Sequence, residues 1–149
     1  MYLTFKELAN LFADRRGADE ADLLFYTVTD QAETLQPKGL FLSLDAESGE
    51  LSEAIANGAI AAVWEKGEAL PSYTPSKFPV FFTENPLESL RQLLSFYVEK
   101  LDGEKDKKMD TTKFHVLNNK LLNENDGTYD IAMMLNKIAL QSEIDGGRG

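Results

Sequence analysis

Four short apolar runs, separated by polar turns, form the clearest pattern along the chain. They are rich in aromatic and β-branched residues, which predicts β-strands. The runs cover residues 23–29, 40–44, 59–64 and 78–83. The run at 59–64 is almost continuously apolar, which is typical of a strand covered on both faces of a parallel sheet.

A helical pattern precedes the first run. It begins at Thr4-Phe5-Lys6-Glu7, which fits a capping box in which the side chains of Thr4 and Glu7 each accept from the other's backbone N–H. Its apolar face follows at Leu8, Leu11 and Phe12. We expect this helix to end at Arg15-Arg16-Gly17, because cations favour the negative end of the helix dipole and glycine commonly terminates a helix.

Two further helices are predicted between and after the apolar runs. Residues 50–57 form one, and Gly58 supplies the left-handed residue that ends it. Because one helix fits between the runs at 40–44 and 59–64, a right-handed parallel crossover is the natural topology. Asn85-Pro86-Leu87-Glu88 begins the other helix, with Asn85 as its cap. The apolar stripe of that helix is Leu87, Leu90, Leu94, Tyr97 and Leu101.

These elements predict an α/β domain with a small, mostly parallel sheet of about four strands, flanked by helices. The composition changes at the highly charged run 102–108. We therefore divide the chain into an α/β domain at 1–100 and an extension at 101–149, which consists of a charged linker and helices. Two helices are predicted in the extension, at 111–122 and 130–142.

Composition and charge narrow the classes of function. The chain has 149 residues and a net charge of −10. An acidic surface repels phosphate backbones and anionic lipids, so we expect neither nucleic acid nor a membrane as a partner. The absence of cysteine excludes disulfides and thiolate metal sites. No apolar run approaches the ~18 residues of a membrane span, and no signal-peptide pattern is visible, so we expect a cytoplasmic protein.

Five landmarks occur in an order that is typical of a known family. They are the opening helix, the strand ending in Val28-Thr29-Asp30, the turn and strand at 37–41, the Ala-Ile-x-x-Gly-Ala sequence at 54–59, and the strand at 79–83 before a helix. In this order they resemble the amino-terminal domain of the Mur ligases, of the MurE and MurF type, over residues 1–100. The resemblance implies a small α/β sheet that holds the uridine nucleotide end of a UDP-muramoyl peptide.

The motifs that hold the substrate in that family differ in this chain. MurE and MurF enzymes usually carry Thr-Asp-Ser-Arg after the first strand, whereas this chain has Thr29-Asp30-Gln31-Ala32. The family's Gly-x-x-x-Asp-Gly-His loop is replaced by a shorter loop at 45–50, whose carboxylates have the wrong charge for a pyrophosphate. The Gly-x-x-Gly-Lys-Thr-Thr loop that binds ATP in the family is also missing. We therefore expect no catalytic residues and no cofactor, which argues against an enzyme.

Three hypotheses for function follow. The first is a stand-alone, non-catalytic relative of this amino-terminal domain, with a binding or protein-interaction role in or near bacterial cell-wall precursor metabolism. The second is a binder or sensor of a UDP-linked precursor, held by the residues at the strand ends where ligands sit in an open α/β sheet: Thr29, Asp30, Ser43 and Ser48. The third is a purely structural module that forms a homo-oligomer through its C-terminal helices.

Two single residues have both a chemical and a structural interpretation. His115 is the only histidine; because no other ligands lie near it in the sequence, we interpret it as a surface residue and predict no metal site. Trp64, at the end of a strand, can stack on a base or a partner, but packing at the edge of the core is the favoured interpretation.

Overall fold

The computed structural model describes residues 2–20, 22–103, 111–117, 131 and 133–139. The helices are α1 (Phe5–Leu11), α2 (Leu51–Ala56) and α3 (Pro86–Asp102), and a 3-10 turn lies at Ala46–Ser48. Residues 131 and 133–139 are also helical. The strands are β1 (Leu3–Thr4), β2 (Asp14–Arg16), β3 (Leu24–Phe25), β4 (Thr27–Thr29), β5 (Gly39–Leu42), β6 (Ala59–Glu65), β7 (Val80–Thr83) and β8 (Lys113–His115).

Six of these strands form the main sheet, in the order β2-β7-β6-β5-β4-β8. Every neighbouring pair from β7 to β8 is parallel, and β2 runs antiparallel to β7. Strands β1 and β3 form a separate antiparallel pair. The predicted α/β class is confirmed: the sheet is mostly parallel and flanked by helices, although it has six strands rather than about four.

Both predicted helix caps are confirmed. Thr4 Oγ1 accepts from the backbone N–H of Glu7 at 3.2 Å, and Glu7 Oε1 accepts from the backbone N–H of Thr4 at 2.9 Å. At α3, Asn85 Oδ1 accepts from the backbone N–H of Glu88 at 3.1 Å, and Pro86 is the first helical residue. These caps satisfy backbone donors at the two helix starts and so fix where each helix begins.

The predicted crossover from β5 through α2 to β6 is also confirmed. Gly58 follows α2 with a φ of +117°. A Cβ atom added there would lie 2.6 Å from the carbonyl oxygen of Gln36. Only glycine therefore fits between the end of α2 and the loop before β5, and this close approach helps to keep β5 and β6 adjacent.

Side chains of the central strands alternate between two hydrophobic clusters. Leu40, Leu42 and Val63 join the cluster that contains residues of α1 and α3. Phe41 and Ala62 join the cluster that contains residues of α2. Because helices cover both faces, the strands are apolar along nearly their whole length, as the sequence pattern indicates.

The predicted end of the first helix is wrong. Helix α1 ends at Leu11, and Asp14–Arg16 forms strand β2 at the edge of the sheet. Gly17 then adopts a φ of +95°, and a Cβ atom added there would lie 2.5 Å from the carbonyl oxygen of Phe78. The two arginines therefore belong to a charged edge strand. Glycine is needed at position 17 because two backbones approach closely there.

The predicted helix at 111–122 is wrong in its described part, because Lys113–His115 is strand β8 and lies parallel to β4. Thr112 and Val116 are buried, whereas the three odd-numbered residues from 113 to 117 are exposed. This alternation has the period of two that a strand shows. Residues 118–122 lie outside the described residues.

Two other predictions are refined. The predicted strand at 23–29 divides into β3, which pairs with β1, and β4, which enters the main sheet. Within the predicted helix at 130–142, residues 131 and 133–139 are helical, and the remainder lies outside the described residues. Ile131 and Ile138 are buried in the same cluster as α3.

Candidate functional site

A cleft of about 430 Å³ opens at the carboxyl ends of β5 and β6. In open parallel sheets, ligands bind at this edge. The lining residues come from the segment after β5, from the residues just before α2, from the end of β6 and from the turn that follows it: Ser43, Leu44, Asp45, Ala46, Gly49, Glu50, Trp64, Glu65, Glu68 and Ala69. We call this site the carboxyl-edge cleft.

Hydrogen bonds fix the loop that forms one wall of the carboxyl-edge cleft. Ser48 Oγ accepts from the backbone N–H of Leu44 at 3.1 Å, and Asp45 Oδ1 accepts from the backbone N–H of Glu47 at 2.9 Å. The carbonyl oxygen of Ser48 accepts from the N–H of Ala32 at 2.8 Å, which ties the loop to the segment after β4. The wall is therefore largely formed before any ligand arrives.

Trp64 also lines the carboxyl-edge cleft. Its ring is half-buried and packs against the cluster around α2, as predicted. Its Nε1–H donates to the carbonyl oxygen of Glu68 at 3.2 Å, which holds the turn after β6 against the ring. An indole in this position offers flat apolar surface to a bound group.

The carboxyl-edge cleft is acidic. Of the described residues that line it, four are carboxylates and none is basic: Asp45, Glu50, Glu65 and Glu68. A pyrophosphate would be repelled here, because it needs cations and backbone N–H donors. An ammonium or guanidinium group would be attracted, with indole surface beside it for its alkyl stem.

The structure separates the four residues predicted to bind a ligand. Ser43 lines the carboxyl-edge cleft and is partly exposed. Ser48 is 2% exposed, and its hydroxyl accepts the hydrogen bond from the N–H of Leu44 that fixes the loop. Thr29 and Asp30 are fully buried at the end of β4, away from the lining of the cleft.

Thr29 and Asp30 hold the segment around β8 in place. The Thr29 hydroxyl donates to the carbonyl oxygen of His115 at 2.7 Å and accepts from the N–H of Gln31 at 3.1 Å. Asp30 Oδ1 accepts from the N–H of Leu117 at 2.9 Å. Residues 115–117 thus cover the carboxyl end of β4, which leaves the ends of β5 and β6 open.

Sequence reasoning missed two acidic residues of the site. Glu65 ends strand β6 and Glu68 follows one turn later. Their position after a predicted strand could have indicated them, because polar residues that follow a buried parallel strand lie near the ligand-binding edge of the sheet. For Trp64 the sequence favours packing over stacking on a ligand, and in the structure its ring packs on the core and also lines the cleft.

His115 is exposed, as predicted from its polar surroundings. Within the ranges that the structure describes, no group of three or more His, Asp or Glu side chains is placed to hold a metal ion. Over the same residues, no helix is both long enough and apolar enough to cross a membrane. In comparisons with protein-family models and with curated proteins, nothing matches this chain.

Proposed function

We propose that this chain is a stand-alone, non-catalytic domain of the Mur ligase amino-terminal type, and that it binds a partner protein in or near bacterial cell-wall precursor metabolism. The five landmarks over residues 1–100 support the relationship. The parallel sheet with its β5–α2–β6 crossover is compatible with it. The observation that carries the binding role is the acidic carboxyl-edge cleft.

The charge of the cleft favours a protein partner over a nucleotide. Four carboxylates, with no basic residue among the described residues of the lining, disfavour a diphosphate and favour Lys or Arg side chains. Exposed ion pairs contribute only about 0.2–1 kcal/mol each. The partner must therefore engage several carboxylates together and also place apolar surface on Trp64. A basic segment of a protein meets both requirements.

A second candidate is a UDP-linked precursor bound in the same cleft. Ser43, one of the predicted ligand contacts, lines the cleft, and the indole of Trp64 provides a surface on which a base can stack. This candidate requires that the nucleotide overcome the repulsion of Asp45 and Glu50, which lie in the same loop region.

Binding measurements separate these candidates. The full chain is titrated by calorimetry with a synthetic Lys- and Arg-rich peptide, UDP, a UDP-muramoyl peptide and ATP, at low and at moderate salt. We expect binding of the basic peptide that weakens as salt rises, and no binding of the three nucleotides. Binding of the UDP-muramoyl peptide that is lost in Ser43→Ala would establish the second candidate instead. Stabilisation by ATP together with ligase activity would overturn the non-catalytic proposal.

A matched pair of variants tests the location of the site. The triple variant Asp45→Asn, Glu65→Gln, Glu68→Gln removes three negative charges from the carboxyl-edge cleft. The control Glu20→Gln, Glu33→Gln, Glu99→Gln removes three exposed negative charges elsewhere. We expect at least tenfold weaker peptide binding in the first variant and less than a twofold change in the control. Equal weakening in both would mean that only net charge attracts the peptide.

Assembly through the C-terminal helices remains a separate prediction, as does a cytoplasmic location. The side chain of Met133 is 56% exposed on the helical part of that segment. If this face joins two copies, Met133→Glu will shift sedimentation of the full chain from dimer to monomer. Identical sedimentation of the variant and the natural chain would argue against this interface.

A further inference from the structure

The end of α2 carries Asn57-Gly58, the only Asn-Gly pair in the sequence. Such a pair is chemically reactive, because glycine has no side chain to hinder attack of its backbone nitrogen on the preceding asparagine. In that attack the N of Gly58 bonds to Cγ of Asn57, and the side-chain nitrogen leaves as ammonia with the proton from Gly58. Water then opens the succinimide ring to aspartate or isoaspartate. One water is consumed and one ammonia is released.

The folded structure holds both reacting groups apart. Asn57 Nδ2 donates to the carbonyl oxygen of Ala32 at 2.9 Å. The N–H of Gly58 donates to the carbonyl oxygen of Ile55 at 3.1 Å, and the carbonyl oxygen of Asn57 accepts from the N–H of Gln36 at 2.8 Å. The ψ of Asn57 is 4°, which places the N of Gly58 beside the backbone N of Asn57 and away from Cβ. Ring closure therefore requires rotation of this peptide and the loss of its hydrogen bonds.

Two of these hydrogen bonds are made by one loop, residues 31–36. The loop supplies the carbonyl oxygen of Ala32 and the N–H of Gln36. The side chain of Gln36 is fully buried and holds the loop together, because its Nε2 donates to the carbonyl oxygens of Gln31 at 3.2 Å and Thr34 at 3.1 Å. Release of this loop from the end of α2 therefore frees the Asn57 side chain and one side of its peptide together.

We propose that Asn57 is a modification site at which the chain deamidates itself, and that release of the loop 31–36 from the end of α2 sets the rate. The carboxylate that forms cannot donate to Ala32, and it lies at the negative end of a helix. Isoaspartate also lengthens the backbone beside Gly58, where an added Cβ atom would already lie 2.6 Å from the carbonyl oxygen of Gln36. Both products hold the loop less tightly, so the modification preserves the opened state. This proposal does not depend on the binding role of the carboxyl-edge cleft.

Mass spectrometry of the full chain tests the protection. The natural chain is incubated in mildly alkaline buffer, folded or in urea, and the peptide that contains Asn57 is followed over time. We expect deamidation about tenfold slower in the folded chain. Asn85 is the internal control, because the nitrogen of Pro86 carries no hydrogen and cannot close the ring. Equal rates at Asn57 in the folded and unfolded chain, or no reaction there in urea, would overturn the proposal.

A matched pair of variants tests control by the loop. Gln36→Ala removes the side chain that holds the loop, and should speed deamidation of the folded chain about threefold. Thr112→Val removes a hydrogen bond from the segment before β8 instead, and should leave the rate close to that of the natural chain. Circular dichroism establishes that each variant is folded during the incubation. Equal acceleration in both variants, or none in Gln36→Ala, would contradict control by the loop.

The product is tested without waiting for the reaction. Asn57→Asp places the aspartate product in the full chain directly, and should lower the urea concentration at the midpoint of unfolding. An unchanged midpoint would show that the loop is held equally well after modification, which would contradict a preserved opened state.

Discussion

The carboxyl ends of β4 and β5 lie side by side in the sheet but differ in what covers them. After β4, Asp30 is fully buried and its carboxylate accepts from the N–H of Leu117. After β5, Asp45 is partly exposed and lines an open cleft. An aspartate that follows a parallel strand is therefore either held by another segment of the chain or left accessible at an open cleft. The outcome depends on whether another segment of the chain reaches that strand end.

The largest effect is expected from Thr112→Val, at the start of the segment whose other end covers the carboxyl end of β4. Valine keeps the shape of threonine but leaves the carbonyl oxygen of Phe25 and the N–H of Leu3 buried without their partner. Two such losses should lower the free energy of unfolding by about 3 kcal/mol, measured by urea denaturation. The control Lys113→Val, one residue away and exposed, should change it by less than about 0.5 kcal/mol. Equal effects would mean that β8 is not anchored through Thr112.

The two aspartates provide the direct test of the comparison. Asp30→Ala should lower the free energy of unfolding by about 2 kcal/mol, because the part-buried hydrogen bond that holds residues 115–117 over the end of β4 is lost. Asp45→Ala removes an exposed hydrogen bond to the N–H of Glu47 and should cost about 0.5 kcal/mol. Chemical denaturation of both variants measures the difference. Similar values for the two would show that the two strand ends are energetically alike.

Tyr97 adds a pH dependence to the anchoring of the segment that contains β8. Burial raises the pKa of its hydroxyl, and the hydrogen bond from Thr112 partly opposes that shift. Because the folded state favours the protonated tyrosine, its stabilising contribution is complete below the unfolded pKa and is lost as pH rises through the higher folded value. We expect the natural chain to lose stability above about pH 10.

Tyr97→Phe isolates this contribution. At neutral pH it should lower the free energy of unfolding by about 1 kcal/mol, because the N–H of Thr112 loses its acceptor. The stability difference between the variant and the natural chain should then shrink as pH rises above about 10. Urea denaturation at several pH values measures it. A difference that is constant with pH would contradict the assigned role of the hydroxyl.

The smallest effect is expected at the open end. Glu65→Gln combined with Glu68→Gln removes two carboxylates that line the cleft with no basic residue among its described lining. We expect a change in the free energy of unfolding within about 0.5 kcal/mol, towards higher stability, because like charges are removed. The gain should fade as salt is added. A clear loss of stability would show that these carboxylates hold the fold rather than face a ligand.

The central part of the fold was predictable because its signals are local. The capping box at Thr4, the Asn85 cap and the apolar runs that became β5, β6 and β7 depend on neighbouring residues alone. The two edge strands were not predictable in this way. Strand β2 is charged and ends at a glycine, as a helix end does, and β8 pairs with a strand more than 80 residues earlier.

The site was predictable only in part, for the same reason. Ser43 was placed correctly at the open edge of the sheet because it follows a strand. Thr29 and Asp30 follow a strand equally closely, but the unpredicted strand β8 uses their hydrogen-bonding groups. Without β8, the sequence offered no means of separating the two kinds of strand end.

The short outer strands also bear on how this sheet resists aggregation. Strands β2 and β8 have three residues each, and exposed Asp14, Arg15, Lys113 and His115 lie on them. Short, charged edges oppose the addition of further strands, because pairing would remove these side chains from water.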